Sequence, residues 1–182
     1  MYPPGHVGLT ALLFAPVVCW FRLRGRREAA RECLQVGVAL SLLPDADKLL
    51  PGLVHRGITH TLLAAVVAGA LVAVGFRLAR PHSPGLGGES TVVCYLVGVA
   101  GVVSHLVGDI ITPMGIRLLF PGSRTVYSLD VVRASSPTAN MLLVVGGTAA
   151  LLCTYSVSAS GPTVDDTTAD ESAAGRALSS RR

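Results

Sequence analysis

Charge is scarce in this chain. Asp, Glu, Lys and Arg make up 14% of its 182 residues, where soluble domains carry about 25%. With 51% hydrophobic residues and a mean hydropathy of +0.57, that shortage excludes an ordinary soluble fold. Aromatic residues are few as well, at 5%, and none alternate with basic runs. The formal net charge of +4 is therefore no nucleic-acid footprint, and no nucleic-acid partner is expected. Paired cysteines are missing too. Cys19, Cys33, Cys94 and Cys153 form neither a CxxC pair nor a zinc-ribbon spacing, and they read as small buried hydrophobes. A cleavable signal is also not evident, because the first apolar run lacks a basic lead and an Ala-x-Ala exit.

The apolar residues come in runs: Val7 to Phe21, Ala29 to Leu43, Thr61 to Ala79, Thr91 to Ile111, and Asn140 to Val157. The first two are short, about 22 Å as helix, against the ~20 residues that a full span prefers. The expectation is an all-α, polytopic transmembrane bundle of about four to five spans over 1–157. Residues 158–182, rich in Ser, Thr, Ala and Asp, read as a disordered tail. Between the last two runs, Met114 to Pro137 reads as an interfacial segment over the polar end of the bundle.

Arginines give the orientation. Arg22, Arg24, Arg26, Arg27 and Arg31 follow the first run, and Arg77 and Arg80 follow the third. The positive-inside rule places those loops in the cytoplasm. The polar residues inside or beside the spans then sort to the other side. His6 opens the first run, Asp45 and Asp47 follow the second, His55 and His60 precede the third, and His105 and Asp109 close the fourth. His82 alone among the histidines falls at the arginine end. The protein is thus read as a multi-pass component of the plasma or inner membrane with an extracytoplasmic polar site.

The sharpest motif is Ser104-His-Leu-Val-Gly-Asp109. Four residues apart on a helix, His105 and Asp109 share a face with Gly98, Gly101, Gly108 and Thr112. A carboxylate at that depth belongs in a bundle interior with a partner. Singly, the other motifs have plainer readings: Pro44-Asp-Ala-Asp47 as a solvated turn, His60 as a helix-start residue. Gathered at one end, they make the donor set of a divalent cation, zinc or, with more carboxylate, manganese. The expected ligands are His6, Asp47, His60, His105 and Asp109, for one or two ions. Asp45 is expected as general base, the two aspartates being exchangeable between ligand and base, and His55 as an auxiliary acid. Arg56 is expected to hold a substrate phosphate. Hydrolysis is the economical reaction class, because a bound ion acidifies water and polarises a phosphoryl or carbonyl oxygen. A non-enzymatic ion-handling protein and a structural membrane protein are the alternatives. The almost wholly apolar cytoplasmic halves of the spans speak against an ion path.

Gly5-His6, Leu43-Pro-Asp-Ala-Asp47, His55-Arg-Gly-Ile-Thr-His60 and Ser104-His-Leu-Val-Gly-Asp109, with Thr112, Gly115 and Leu118-Leu-Phe-Pro121, resemble the YdjM-type family. These are small, LexA-associated membrane proteins described as metal-dependent hydrolases. The resemblance covers about residues 5 to 135 and implies an integral membrane protein with a metal site at those His and Asp positions. The ligand order also resembles that of the all-helical zinc-dependent phospholipase C and S1/P1 nuclease group, which implies a phosphoester substrate, small or lipid, with membrane lipid as surroundings. No histidine follows His105, so the three-zinc site of that group is not expected.

Overall fold

The computed structural model describes residues 1–52 and 54–159; residues 160–182, most of the stretch read as a disordered tail, lie outside the described residues. Five helices carry the fold: α1 (Pro3–Leu23), α2 (Arg27–Leu42), α3 (Leu62–Ala79), α4 (Thr91–Ile110) and α5 (Pro137–Ala159). Among the described residues there is no named strand, only an isolated antiparallel bridge between Ile116 and Tyr127. The all-helical expectation holds.

Helix α1 starts earlier than its apolar run, at Pro3. Proline is favoured in a first helical turn because its missing N–H has no intrahelical partner there anyway, so Pro3-Pro4 nucleates the helix and draws His6 into it. Four spans, within the four to five expected, are found, and α2 is the exception among the five apolar runs. It has 16 residues, about 24 Å of rise, and its first turns hold Arg27, Glu28, Arg31 and Glu32. The other four helices, Pro3–Leu23, Leu62–Ala79, Thr91–Ile110 and Pro137–Val157, are long and apolar enough to cross a membrane. For α3, either Thr59 or Thr61 is chemically able to cap the start. Thr61 does so, its Oγ1 accepting from the Ala64 N–H at 3.1 Å.

Lipid tails are as apolar as leucine, so burial alone does not hold such helices together. Close backbone approach through small residues does. Gly8 of α1 lies against the Leu143–Val144 backbone of α5, with Gly147 against the Gly8 carbonyl. Gly98 of α4 faces the Cα of Gly69 on α3, and Gly101 faces Leu40 and Gly37 of α2. Helix α4 is thus clasped by α2 and α3 along its glycine stripe. The buried apolar centre is formed by Phe14, Val18, Phe21, Cys33, Val97 and their neighbours.

The helices run up and down, so one end of the bundle collects the start of α1, the exit of α2, the entry of α3 and the end of α4. At that end, Pro44–Leu49 and Ile58–His60 form 3-10 turns. The segment after α4 returns over the same end: Leu129 N–H donates to Ile110 O at 2.7 Å, and Leu62 N–H donates to Leu118 O at 3.0 Å. At the other end, the buried Glu32 fastens the α3–α4 connection. Its Oε1 accepts from Arg80 at 2.8 Å and its Oε2 from the Leu86 N–H at 2.7 Å.

Candidate metal centre

Helix α4 ends one residue after Asp109, at Ile110, and its i, i+4 spacing turns His105 and Asp109 the same way. His105 Nε2 lies 3.5 Å from Asp109 Oδ2. The 3-10 turn Ile58–His60 brings His60 in from the α3 side, its Nε2 also 3.5 Å from Asp109 Oδ2. The 3-10 turn after α2 supplies Asp45, whose Oδ1 is 3.6 Å from His60 Nε2 and 4.0 Å from His105 Nε2. A tetrahedral ion with ligands at about 2.0–2.2 Å separates them by about 3.3–3.6 Å. Three of these separations, at 3.5–3.6 Å, are of that size, and the one between Asp45 and His105 is wider.

Hydrogen bonding points to the same place. His60 Nε2, His105 Nε2 and Asp109 Oδ2 are buried and have no hydrogen-bond partner. Buried polar atoms are normally paired, and a cluster of unpaired ones requires an explanation such as an ion. The far sides of the same rings are held. His105 Nδ1 meets the Ser41 carbonyl at 2.6 Å, which fixes Nδ1–H as the donor and leaves Nε2 as a lone pair. His60 Nδ1 faces Thr59 Oγ1 at 2.9 Å and Asp47 Oδ2 at 3.3 Å. Backbone carbonyl and carboxylate behind an imidazole are the usual supports of a ligating histidine.

His6 and His55 lie on opposite sides of this ring of atoms. His6 stacks on His105, centroids 3.9 Å apart and planes at 11°, with Nε2 3.6 Å from Asp109 Oδ1. A side chain on Gly108 would come within 2.7 Å of His6 Nδ1, so the absent Cβ makes room for the ring. Neither nitrogen of His6 has a hydrogen-bond partner. His55 is at the rim, 34% exposed, its Nδ1 3.0 Å from Asp47 Oδ1. Asp45 is also partly open, at 13%, whereas Asp47 is closed off.

The seven expected site residues therefore share one end, in three overlapping groups able to hold a cation: His6 with His105 and Asp109; Asp45 with His60 and His105; Asp47 with His55 and His60. His82 is apart from them, in the α3–α4 connection. Asp45 faces the imidazole Nε2 atoms, and Asp47 sits behind His60.

Charge states suit cation binding. Burial pulls the Asp45 carboxyl upward, but the neighbouring His60 and Lys48 outweigh it and hold the group below the ordinary carboxylate range. Asp47 is lowered in the same way, with His55 and Thr59 overcoming burial. Burial lowers His60, against the opposing pull of Asp45, and keeps the imidazole neutral. Ionised carboxylate and neutral imidazole are the forms that bind metal.

Three contributions were not foreseen from sequence: the Ser41 carbonyl, Thr59 as a bridge between Asp47 and His60, and the Met1 ammonium 2.6 Å from Asp109 Oδ1. Backbone carbonyls carry no sequence signal. Thr59 had one, since it lies between His55 and His60 and the capping role went to Thr61.

A family model described as YdjM inner membrane protein matches residues 1–164. No curated protein and no solved structure matches the chain. That match and the four long apolar helices together make this a multi-pass membrane protein whose buried His/Asp groups can hold a metal ion.

Proposed function

The chain belongs to the YdjM inner membrane protein family, and we propose that it is a membrane-embedded, metal-dependent hydrolase of phosphate esters, small or lipid. The observation that carries this is the set of unpaired, inward-facing atoms of His60, His105 and Asp109, with Asp45 beside them, 3.6 Å from His60 Nε2 and 4.0 Å from His105 Nε2. These four would hold the ion, with His6 beside them, and Asp47 orients His60 from behind. In this assignment Asp45 takes the ligand position and Asp47 the supporting one.

A divalent cation in that place, zinc or manganese by its donor set, supplies Lewis acidity toward a phosphoryl oxygen and toward water. The remaining chemistry belongs to the rim. His55 is the exposed imidazole beside the ring, and Asp47 at 3.0 Å holds its Nδ1. That leaves Nε2 to exchange a proton with the attacking water or the leaving oxygen, a base steadied by a carboxylate. Hydrolysis rather than transport is favoured because the polar side chains stop just beneath the site. The Thr10–Ser104 hydroxyl pair, at 2.8 Å, is followed by the apolar centre. By the positive-inside rule, the arginine-rich loops at the opposite end support the reading of an extracytoplasmic site.

Elemental analysis of the purified protein tests the centre, and a screen of phosphomonoesters, phosphodiesters and phospholipids with Zn²⁺ or Mn²⁺ tests the reaction. Bound metal lost in His105→Ala and Asp109→Ala is the expected result. Wild-type protein that retains no metal without chelators present would overturn the proposal.

A further inference from the structure

We propose that Arg56 is a positioning residue for this centre, holding Asp109 so that one carboxylate oxygen alone faces the imidazoles. The inference rests on the metal-site reading above and specifies how that site keeps room for substrate.

The two oxygens of Asp109 have different surroundings. Oδ1 accepts from Arg56 Nη2 at 2.9 Å and from the Met1 ammonium at 2.6 Å, with His6 Nε2 at 3.6 Å. Oδ2 has no hydrogen-bond partner and lies 3.5 Å from both His60 Nε2 and His105 Nε2. One oxygen is engaged by positive groups and the other is left for an ion. The second arm of the guanidinium fork is anchored as well: Nη1 donates to the Gly115 carbonyl at 2.9 Å and meets Thr112 Oγ1 at 3.4 Å. Thr112 in turn donates to the Asp109 carbonyl at 2.7 Å. Arg56 thus clamps the last turn of α4 to the chain that leaves it.

The backbone is committed to this placement. Arg56 has φ +60°, a left-handed conformation that non-glycine residues adopt in only a few per cent of cases. Its side chain is 11% exposed. A phosphate anchor, the role expected from sequence, would present a free fork to the rim. Here both terminal nitrogens are engaged by the protein, and Nε is buried. A carboxylate without this clamp can rotate and offer both oxygens to one ion, filling the position that a catalytic site leaves open.

Cobalt(II) is the probe, because its d–d absorption reports coordination number without any need for turnover. Full-length protein in detergent is titrated with Co²⁺ as wild type, Arg56→Ala and Arg56→Lys. Arg56→Ala is expected to bind about 10- to 100-fold more weakly, the cost typical of losing a partner of a ligand. Its bands should weaken as Asp109 turns bidentate. Arg56→Lys keeps the charge but not the fork; it should recover part of the affinity and still show the altered bands. If Arg56→Ala does not fold, Arg56→Lys decides by its spectrum. Unchanged spectra in the folded variants, or a rise in KM for a phosphoester with the spectrum intact, would overturn the role. Wild type that takes up no Co²⁺ would overturn the metal centre itself, an outcome distinct from Co²⁺ bound with an Arg56-insensitive spectrum.

Discussion

Two acidic residues are buried at opposite ends of this bundle. Glu32, near the start of α2, has both oxygens paired, one by Arg80 and one by the Leu86 N–H. Asp109, near the end of α4, has one oxygen paired and one bare. Both cost desolvation energy; Glu32 is compensated by the protein at each oxygen, Asp109 at one alone. A buried charge with complete partners is architecture, and one left half paired against two imidazoles is a place for a cation.

The largest effect that can test this contrast is loss of metal. Asp109→Asn should abolish metal retention, measured by elemental analysis after gel filtration, whereas Glu32→Gln should leave the metal content unchanged. Equal losses in the two variants would erase the distinction. Next comes stability. Glu32→Ala leaves the buried Leu86 N–H without its acceptor and should cost about 1–3 kcal/mol, read as a lower midpoint of thermal unfolding in detergent with metal content unchanged. Asp47→Asn should weaken metal affinity by about 10- to 100-fold without abolishing it, as expected for support behind a ligand; competition with a chelator measures this. The smallest effect belongs to Arg80→Ala. Arg80 is 63% exposed, and its loss should cost less than about 1 kcal/mol with no change in metal content.

Much of this was legible in the sequence, and the reasons for the rest are specific. The i, i+4 pair His105 and Asp109 could be placed because helical spacing is regular. Histidines and aspartates at the ends of alternate apolar runs had to share a side once the runs were taken as antiparallel. Asp45 and Asp47 could not be told apart, because the turn they lie on was unknown. At three residues per turn, positions two apart in a 3-10 turn point about 120° away from each other. One aspartate therefore faces the Nε2 atoms and the other passes behind His60. The partners of Arg56, on Asp109, Thr112 and Gly115, lie more than 50 residues away along the chain and had no sequence signal. The true start of α1 at Pro3 lay in a lead that hydropathy alone discounts, and α2 likewise begins ahead of its apolar run, at Arg27.

His6 belongs to the first turns of α1 and Asp109 to the last of α4, with His60 and His105 contributed between them. No shorter stretch of chain contains the set. A nascent polypeptide can therefore assemble the proposed cation site only after the fourth helix has been inserted and packed. Products that stop earlier, or proteolytic fragments that lack either terminus of the α1–α4 unit, would emerge without the centre. Under the proposed function, metallation is then a late event in biogenesis, governed by whatever supplies ions to the compartment where that end of the bundle finally resides.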